Sequence, residues 1–290
     1  MSVSDNPFET PSPRGVRLVQ ATLRVTLALQ CWGYAAQRIH HHADYVLTDL
    51  LAQAKDWDVD RVQQVNDITA YVLIVSGLLI LIRPIWLILL PLAGWQIGMA
   101  VAAVVMGSSA VSALEPASQA VRYTLPTALL LVDFWPPKVK PGLAVCLSSI
   151  GLLRFAIAAT FIGQGLLALY EFQRGGNLVE LITLTSQNFL GRDLSSDQAQ
   201  NLLAIVGAVD VAIAVALLSS RNRLVALWAA LWGLATAFSY TIAFGIDGYP
   251  STLVRAADVG AVLTVLIFWI VAVEEQPARI LPEVEDEDLS

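Results

Sequence analysis

Residues 85–106 run for 22 positions without a charged side chain. A helix needs about 20 apolar residues to cross the hydrocarbon of a bilayer, so this run is long enough to span one. Seven more apolar runs accompany it, near 19–38, 64–82, 118–135, 147–170, 199–219, 223–245 and 252–273. The run at 118–135 is the weakest, because Arg122 and Pro126 interrupt it. Composition agrees: 56% of the chain is apolar and 14% charged, against about 25% charged in a soluble domain. The sequence predicts an all-α integral membrane protein with eight transmembrane helices.

The formal charge of −7 is concentrated at one end. Residues 274–290 hold seven acids and one base, which leaves the rest of the chain almost neutral. No basic stripe exists for nucleic acid, so that class of partner is excluded. The acidic tail reads as a solvated cytoplasmic end, with a docking tail for a basic partner as the alternative. Lys and Arg set orientation. With the N-terminus inside, cytoplasmic segments carry Arg14, Arg17, Arg83, Lys138, Lys140, Arg221, Arg223 and Arg279. The outer side carries Arg38, Lys55, Arg61, Arg174 and Arg192 on two longer loops. This bias predicts a multi-pass membrane protein with both termini cytoplasmic. Two outer segments, residues 45–51 and 178–182, alternate in the manner of short interfacial helices.

The chain matches itself at a spacing of 130–137 residues. Leu23-Arg24 matches Leu153-Arg154, Asp60 matches Asp197, Trp95 matches Trp232, and Val121-Arg122 matches Val254-Arg255. Asp49-Leu50-Leu51 likewise matches Glu180-Leu181-Ile182. An even number of spans per copy returns the chain to the same side. The expected fold is therefore two parallel four-helix-bundle repeats side by side. The expected boundaries are a flexible tail over 1–18, a first repeat over 19–137, a cytoplasmic linker over 138–146, a second repeat over 147–273 and an acidic tail over 274–290.

Ionisable groups inside a span are expensive and need a partner or a purpose. Asp210 lies about half-way along the sixth run, and Arg154 lies near the cytoplasmic start of the fifth. The sequence predicts an intramembrane charged pair between them, either as a buried ion pair or as a proton- or ligand-handling carboxylate. Arg255 and Asp258 stand three residues apart, which predicts a second, local pair on one helix face. The repeat-equivalent arginines are Arg24 and Arg122. In the first copy Leu73 stands where Asp210 would, and Leu125 where Asp258 would. Any site that one copy retains is therefore expected in the second, and Arg122 must find another partner, with Glu115 within reach.

His40, His41 and His42 end the first run. Successive helical positions point about 100° apart, so one turn cannot aim all three at one metal. They are read as interfacial residues, with a metal or haem ligand as the weaker alternative. Cys31 and Cys146 lie far apart and form no CxxC, so buried packing is expected of both. No nucleotide, dinucleotide, zinc-protease or serine-hydrolase motif is present, which argues against an autonomous hydrolase.

The second copy carries Leu153-Arg154-Phe155-Ala156-Ile157, then Gly163-Gln164-Gly165, then Gly207 and Asp210. A four-span unit with an Arg early in its first helix, a Gly-rich end to that helix and an acid in its second resembles the DoxX-like family of small bacterial membrane proteins. The first copy keeps Leu23-Arg24 and Gly33 but not the acid. The resemblance implies an accessory subunit of a quinone-linked redox or envelope system, with quinone as cofactor and a redox complex beside the lipid bilayer as partner. Two alternatives stand beside it: a small-solute or proton-coupled transporter, and a quinone-reactive oxidoreductase in its own right. Fold resemblance alone does not transfer an enzymatic activity.

Overall fold

The computed structural model of the protein describes residues 13–41, 46–107, 110–133 and 143–272. Every regular element among them is helical. The N-terminal half holds α1 (Pro13–His41), the short α2 (Val46–Lys55), α3 (Val59–Ile82), α4 (Trp86–Met106), α5 (Ala110–Ser118) and α6 (Ala120–Val132). The C-terminal half holds α7 (Leu143–Arg174), α8 (Asn177–Leu190), α9 (Ser196–Ser219), α10 (Arg223–Phe244) and α11 (Tyr249–Ile267). A 3₁₀ turn, Gly245–Gly248, joins the last two, and a π-helical turn, Phe268–Ala272, ends the described chain.

Among the described residues, five stretches are long and apolar enough to cross a membrane: Val59–Ile82, Trp86–Met106, Ala144–Arg174, Ser196–Ser219 and Arg223–Val271. The last folds back at Gly245–Gly248, so that α10 and α11 pack against one another. The protein is thus an all-helical chain built for contact with lipid.

Helix ends follow local chemistry. Asp58 caps α3 by accepting from the Arg61 N–H. Ser195 and Gln198 form a reciprocal capping box at α9. Each satisfies donors that the first turn leaves open. Asn222 caps α10 through the Leu224 N–H. Gly191 ends α8 in the left-handed conformation, φ 63°, which glycine adopts without strain. Both interfacial segments expected outside the membrane are helices, α2 and α8.

Two boundaries differ from expectation. Helix α1 begins at Pro13, ahead of the expected span, because proline suits the first helical turn. The weak run at 118–135 holds the short α6, and a break at Gln119 separates it from α5, which precedes the run. Thr160 on α7 accepts from the Val121 N–H at 3.0 Å, and Gln164 donates to Ser118 O at 3.3 Å. The break is thereby stitched to α7. Gly163 makes room for it, since a Cβ there would collide with the Ser118 backbone.

The halves do not pack as separate bundles. Helix α1 packs on α3 within its own half but equally on α11 of the other, and α7 packs on α9 and on α5–α6. One continuous core results, with Leu23, Leu27, Leu125, Leu153, Ile157 and Val265 buried together. The cause lies in small residues on the crossing faces. A Cβ on Gly33 would stand 2.6 Å from Val254 N, and one on Gly260 would strike the Thr26 side chain. Helix α2 lies over α4 and α3, and α8 lies over α10 and α9. The linker expected over 138–146 begins outside the described residues, and its last residues start α7; both tails lie largely outside them.

Candidate functional site

Beneath α8, the C-terminal half opens into a chamber of about 870 Å³. Its walls come from α7, α9, α10 and α11, and its remaining side comes from the α5–α6 bend of the other half. Leu167, Leu181, Ile182, Leu203 and Val206 make much of the wall apolar.

Asp210 reaches the chamber because it sits on the buried stripe of α9, in line with Leu203, Gly207, Ile213 and Leu217. Helices α7 and α9 cross closely there. A Cβ on Gly165 would lie 2.7 Å from Gly207 O, and one on Gly207 would lie 2.8 Å from Gly165 O. Only 4% of Asp210 is exposed. Trp232 on α10 donates its indole N–H to Asp210 Oδ1 at 2.6 Å, and Trp228 stacks on Trp232 at 6.3 Å. A short charge-assisted bond of this kind helps to hold a carboxylate that is largely buried.

Arg255 on α11 enters from the side. It donates to the Tyr240 hydroxyl at 2.8 Å, and its guanidinium lies over the Tyr240 ring at 4.5 Å. It stands within electrostatic reach of Asp210. Toward the loops the polar groups are largely matched within the protein. Glu171 accepts from the Leu178 N–H at 2.8 Å and so sits at the N-terminus of α8, where an anion is favourable. Thr185 and Asn188 tie α8 to backbone carbonyls of α10. Glu115 accepts from Gln119 at 2.9 Å.

Both expected pairs are replaced. Arg154 does not meet Asp210. It donates to Leu217 O at 2.7 Å, Leu218 O at 2.8 Å and Ser220 O at 2.9 Å. It therefore caps the C-terminus of α9, with Trp269 at 5.7 Å beneath its guanidinium. Orphan carbonyls at a helix end are ready acceptors. Leu217 lies about 10 Å along the helix from Asp210 at the usual rise per residue. The local Arg255–Asp258 pair is also absent. Three positions along a helix turn by about 60°, enough to direct Arg255 to the chamber and Asp258 to the interface with α6. There Asp258 accepts from Arg122 at 3.3 Å, so the partner of Arg122 is Asp258 and not Glu115. Arg24, the remaining repeat-equivalent arginine, pairs with Asp133 at 2.5 Å.

His40 is exposed and meets the Tyr249 ring edge-on at 5.7 Å. The side chain of His41 and all of His42 lie outside the described residues. No cluster of three metal-ligating side chains occurs among the described residues. Cys31 and Cys146 are both buried thiols.

Sequence reasoning misplaced Arg38, counted as an outer loop charge. It is 1% exposed, donates to Asn66 at 2.9 Å and lies 5.3 Å over the Trp95 ring. The signal was present in the spacing Ala28, Cys31, Ala35, Arg38, which continues the buried face of α1. Tyr240 was also missed, since a tyrosine in an apolar run carries no signal of its own. Compared with known proteins, the chain is matched by no family model, no curated protein and no solved structure.

Proposed function

We propose that this chain is a DoxX-like protein of the bacterial inner membrane, made of eight spans in two parallel four-helix units with both termini cytoplasmic. Its second unit binds an amphipathic ligand, and the protein serves a quinone-linked redox or envelope system as an accessory subunit. The observation that carries this reading is the chamber that reaches Asp210. Such a pocket, apolar with a few convergent polar groups, is the usual form of a small-molecule site.

The duplicated plan draws support from paired contacts. Helix α1 on α3 corresponds to α7 on α9, α4 on α6 to α10 on α11, and α1 on α11 to α7 on α6. Gly33 against Val254 corresponds to Gly163 against Ser118. Gln37 bonds Ser251 as Gln164 bonds the backbone of Ser118, and those two serines are 133 residues apart.

The chamber residues fit a quinone. Such a ligand is neutral, with carbonyl oxygens at its head and a hydrocarbon tail. Arg255 offers a donor, Asp210 an acceptor once the head is reduced to the quinol, and the leucine-rich wall accommodates a tail. Purification in native lipid followed by solvent extraction tests this. The wild-type protein is expected to carry quinone near one per chain, and Asp210→Leu to carry far less. A wild-type protein that carries none, and brings down no redox partner, overturns the reading.

One observation favours transport as a second reading: the chamber reaches a carboxylate part-way along α9, a helix long and apolar enough to cross a membrane. Proteoliposomes loaded with a pH dye separate the two. Solute-driven proton flux that disappears in Asp210→Asn favours transport, and bound quinone without flux favours the first reading.

A further inference from the structure

Several arginines on the long helices have a carboxylate at hand. Arg24 pairs with Asp133, Arg122 pairs with Asp258, and Arg255 stands within electrostatic reach of Asp210. Arg154 on α7 differs. Its Nε and Nη2 donate to the Leu217, Leu218 and Ser220 carbonyls at the end of α9, and the bond to Leu218 lies at the surface. Nη1 takes no part in these bonds, and the side chain is partly exposed. Helix-end carbonyls supply acceptors and a partial negative charge, not a full counter-charge. The charged side chain that acts on Arg154 is a second cation, Arg221. Arg221 is exposed, in the turn over 220–222 that joins α9 to α10. Among the described residues, no carboxylate forms an ion pair with either arginine. Two neighbouring cations without an acid leave a local excess of positive potential.

The surroundings are apolar. Phe155, Leu218, Leu224 and Trp228 are all exposed. Helices α7, α9 and α10 each belong to a stretch long and apolar enough to cross a membrane, and both arginines lie where α9 ends and α10 begins. Cations at the ends of spanning helices stand at the level of the lipid headgroups.

We propose that Arg154 and Arg221 bind the phosphate of an anionic phospholipid, whose acyl chains lie against the exposed apolar surface of α7, α9 and α10. The excess of positive charge selects an anionic head, since a zwitterionic one would bring a third cation toward the other two. The exposed apolar side chains select a lipid over a free phosphate, which would leave them uncovered. The chamber takes no part, so this site stands or falls apart from the function proposed above.

Titration of the delipidated full-length protein in a neutral detergent tests the proposal, with bound lipid counted by native mass spectrometry. The probes are dioleoyl-phosphatidylglycerol, dioleoyl-phosphatidylcholine and inorganic phosphate. The wild-type protein is expected to bind the phosphatidylglycerol at least about tenfold more tightly than the phosphatidylcholine. Arg221→Gln should weaken the phosphatidylglycerol by about fivefold and leave the phosphatidylcholine unchanged. Arg154→Gln should weaken it at least as much. Arg221→Gln, whose site is an exposed turn, decides the matter if Arg154→Gln fails to fold. Arg174→Gln, at the opposite end of α7, should change nothing. Equal wild-type affinity for the two lipids, or no loss in Arg221→Gln, overturns the site. An equal loss in Arg174→Gln overturns it too, since the effect would then follow overall charge. Displacement of the phosphatidylglycerol by an equal concentration of inorganic phosphate overturns the lipid as the source of the anion. A preference for phosphatidylglycerol that emerges only when Glu274→Gln and Glu275→Gln are combined would give the arginines to the acidic tail, and would likewise overturn the lipid.

Discussion

Trp95 on α4 and Trp232 on α10, one in each half of the chain, meet opposite charges. Trp95 lies beneath the guanidinium of Arg38, whereas Trp232 gives its N–H to the carboxylate of Asp210. An indole can do either, because its ring face is electron-rich and its N–H is a donor. The consequence is volumetric. Arg38 is among the largest fully buried side chains of the described residues and occupies the N-terminal half, bonded to the buried Asn66. Ala168 stands where a 130-residue spacing from Arg38 leads, and it lines the chamber. Arg38 thus fills space in the N-terminal half, whereas Ala168 lies on the chamber wall of the C-terminal half.

That contrast can be broken by substitution. The largest effect is expected at the centre. Asp258→Ala leaves Arg122 charged and buried, and should destabilise the protein by about 3–5 kcal/mol, read from denaturation in detergent. A loss below about 1 kcal/mol would mean that the central pair matters no more than a surface one. Next, Trp232→Phe removes the donor to Asp210 and should cost about 1.5–3 kcal/mol. Trp95→Phe keeps an aromatic face under Arg38 and should cost less than about 1 kcal/mol. Similar losses in both would erase the difference between the halves.

The tight crossings should behave alike on both sides. Gly33→Ala and Gly163→Ala each force backbone apart and should lower stability by about 1–3 kcal/mol. Gly94→Ala and Gly151→Ala meet open space and should be neutral or stabilising by up to about 1 kcal/mol. Paired melting curves check this, and a costly Gly94→Ala would place an unrecognised neighbour against α4. The smallest effect is expected at Asp133→Ala, which breaks a partly exposed ion pair and should cost about 0–1 kcal/mol.

The helical plan was legible because apolar run length and capping residues act locally. Asp58 and Ser195, for example, cap their helices through contacts within their own first turns. The depth of Asp210 was legible for the same reason. Its partner was not, since partner choice depends on how α7 is rotated against α9, and the Gly165–Gly207 crossing sets that rotation. Arg154 was then drawn to the end of α9 by carbonyls that a residue pattern does not display. Arg122–Asp258 escaped notice because it joins positions 136 residues apart across an interface that a picture of two side-by-side bundles does not contain. The chamber itself was anticipated only as a preference for the second half, inferred from the loss of the acid at Leu73.

Because α1 is buried against α11, it finds a principal long-range neighbour only after α2 to α10 have been translated. During that interval the face of α1 bearing Thr26 and Gly33 must rest against lipid or a chaperone. A gene fragment encoding only the N-terminal half would leave that face without its cover permanently. Such a fragment should be degraded in cells, unless the missing half is supplied in trans to complete the weave.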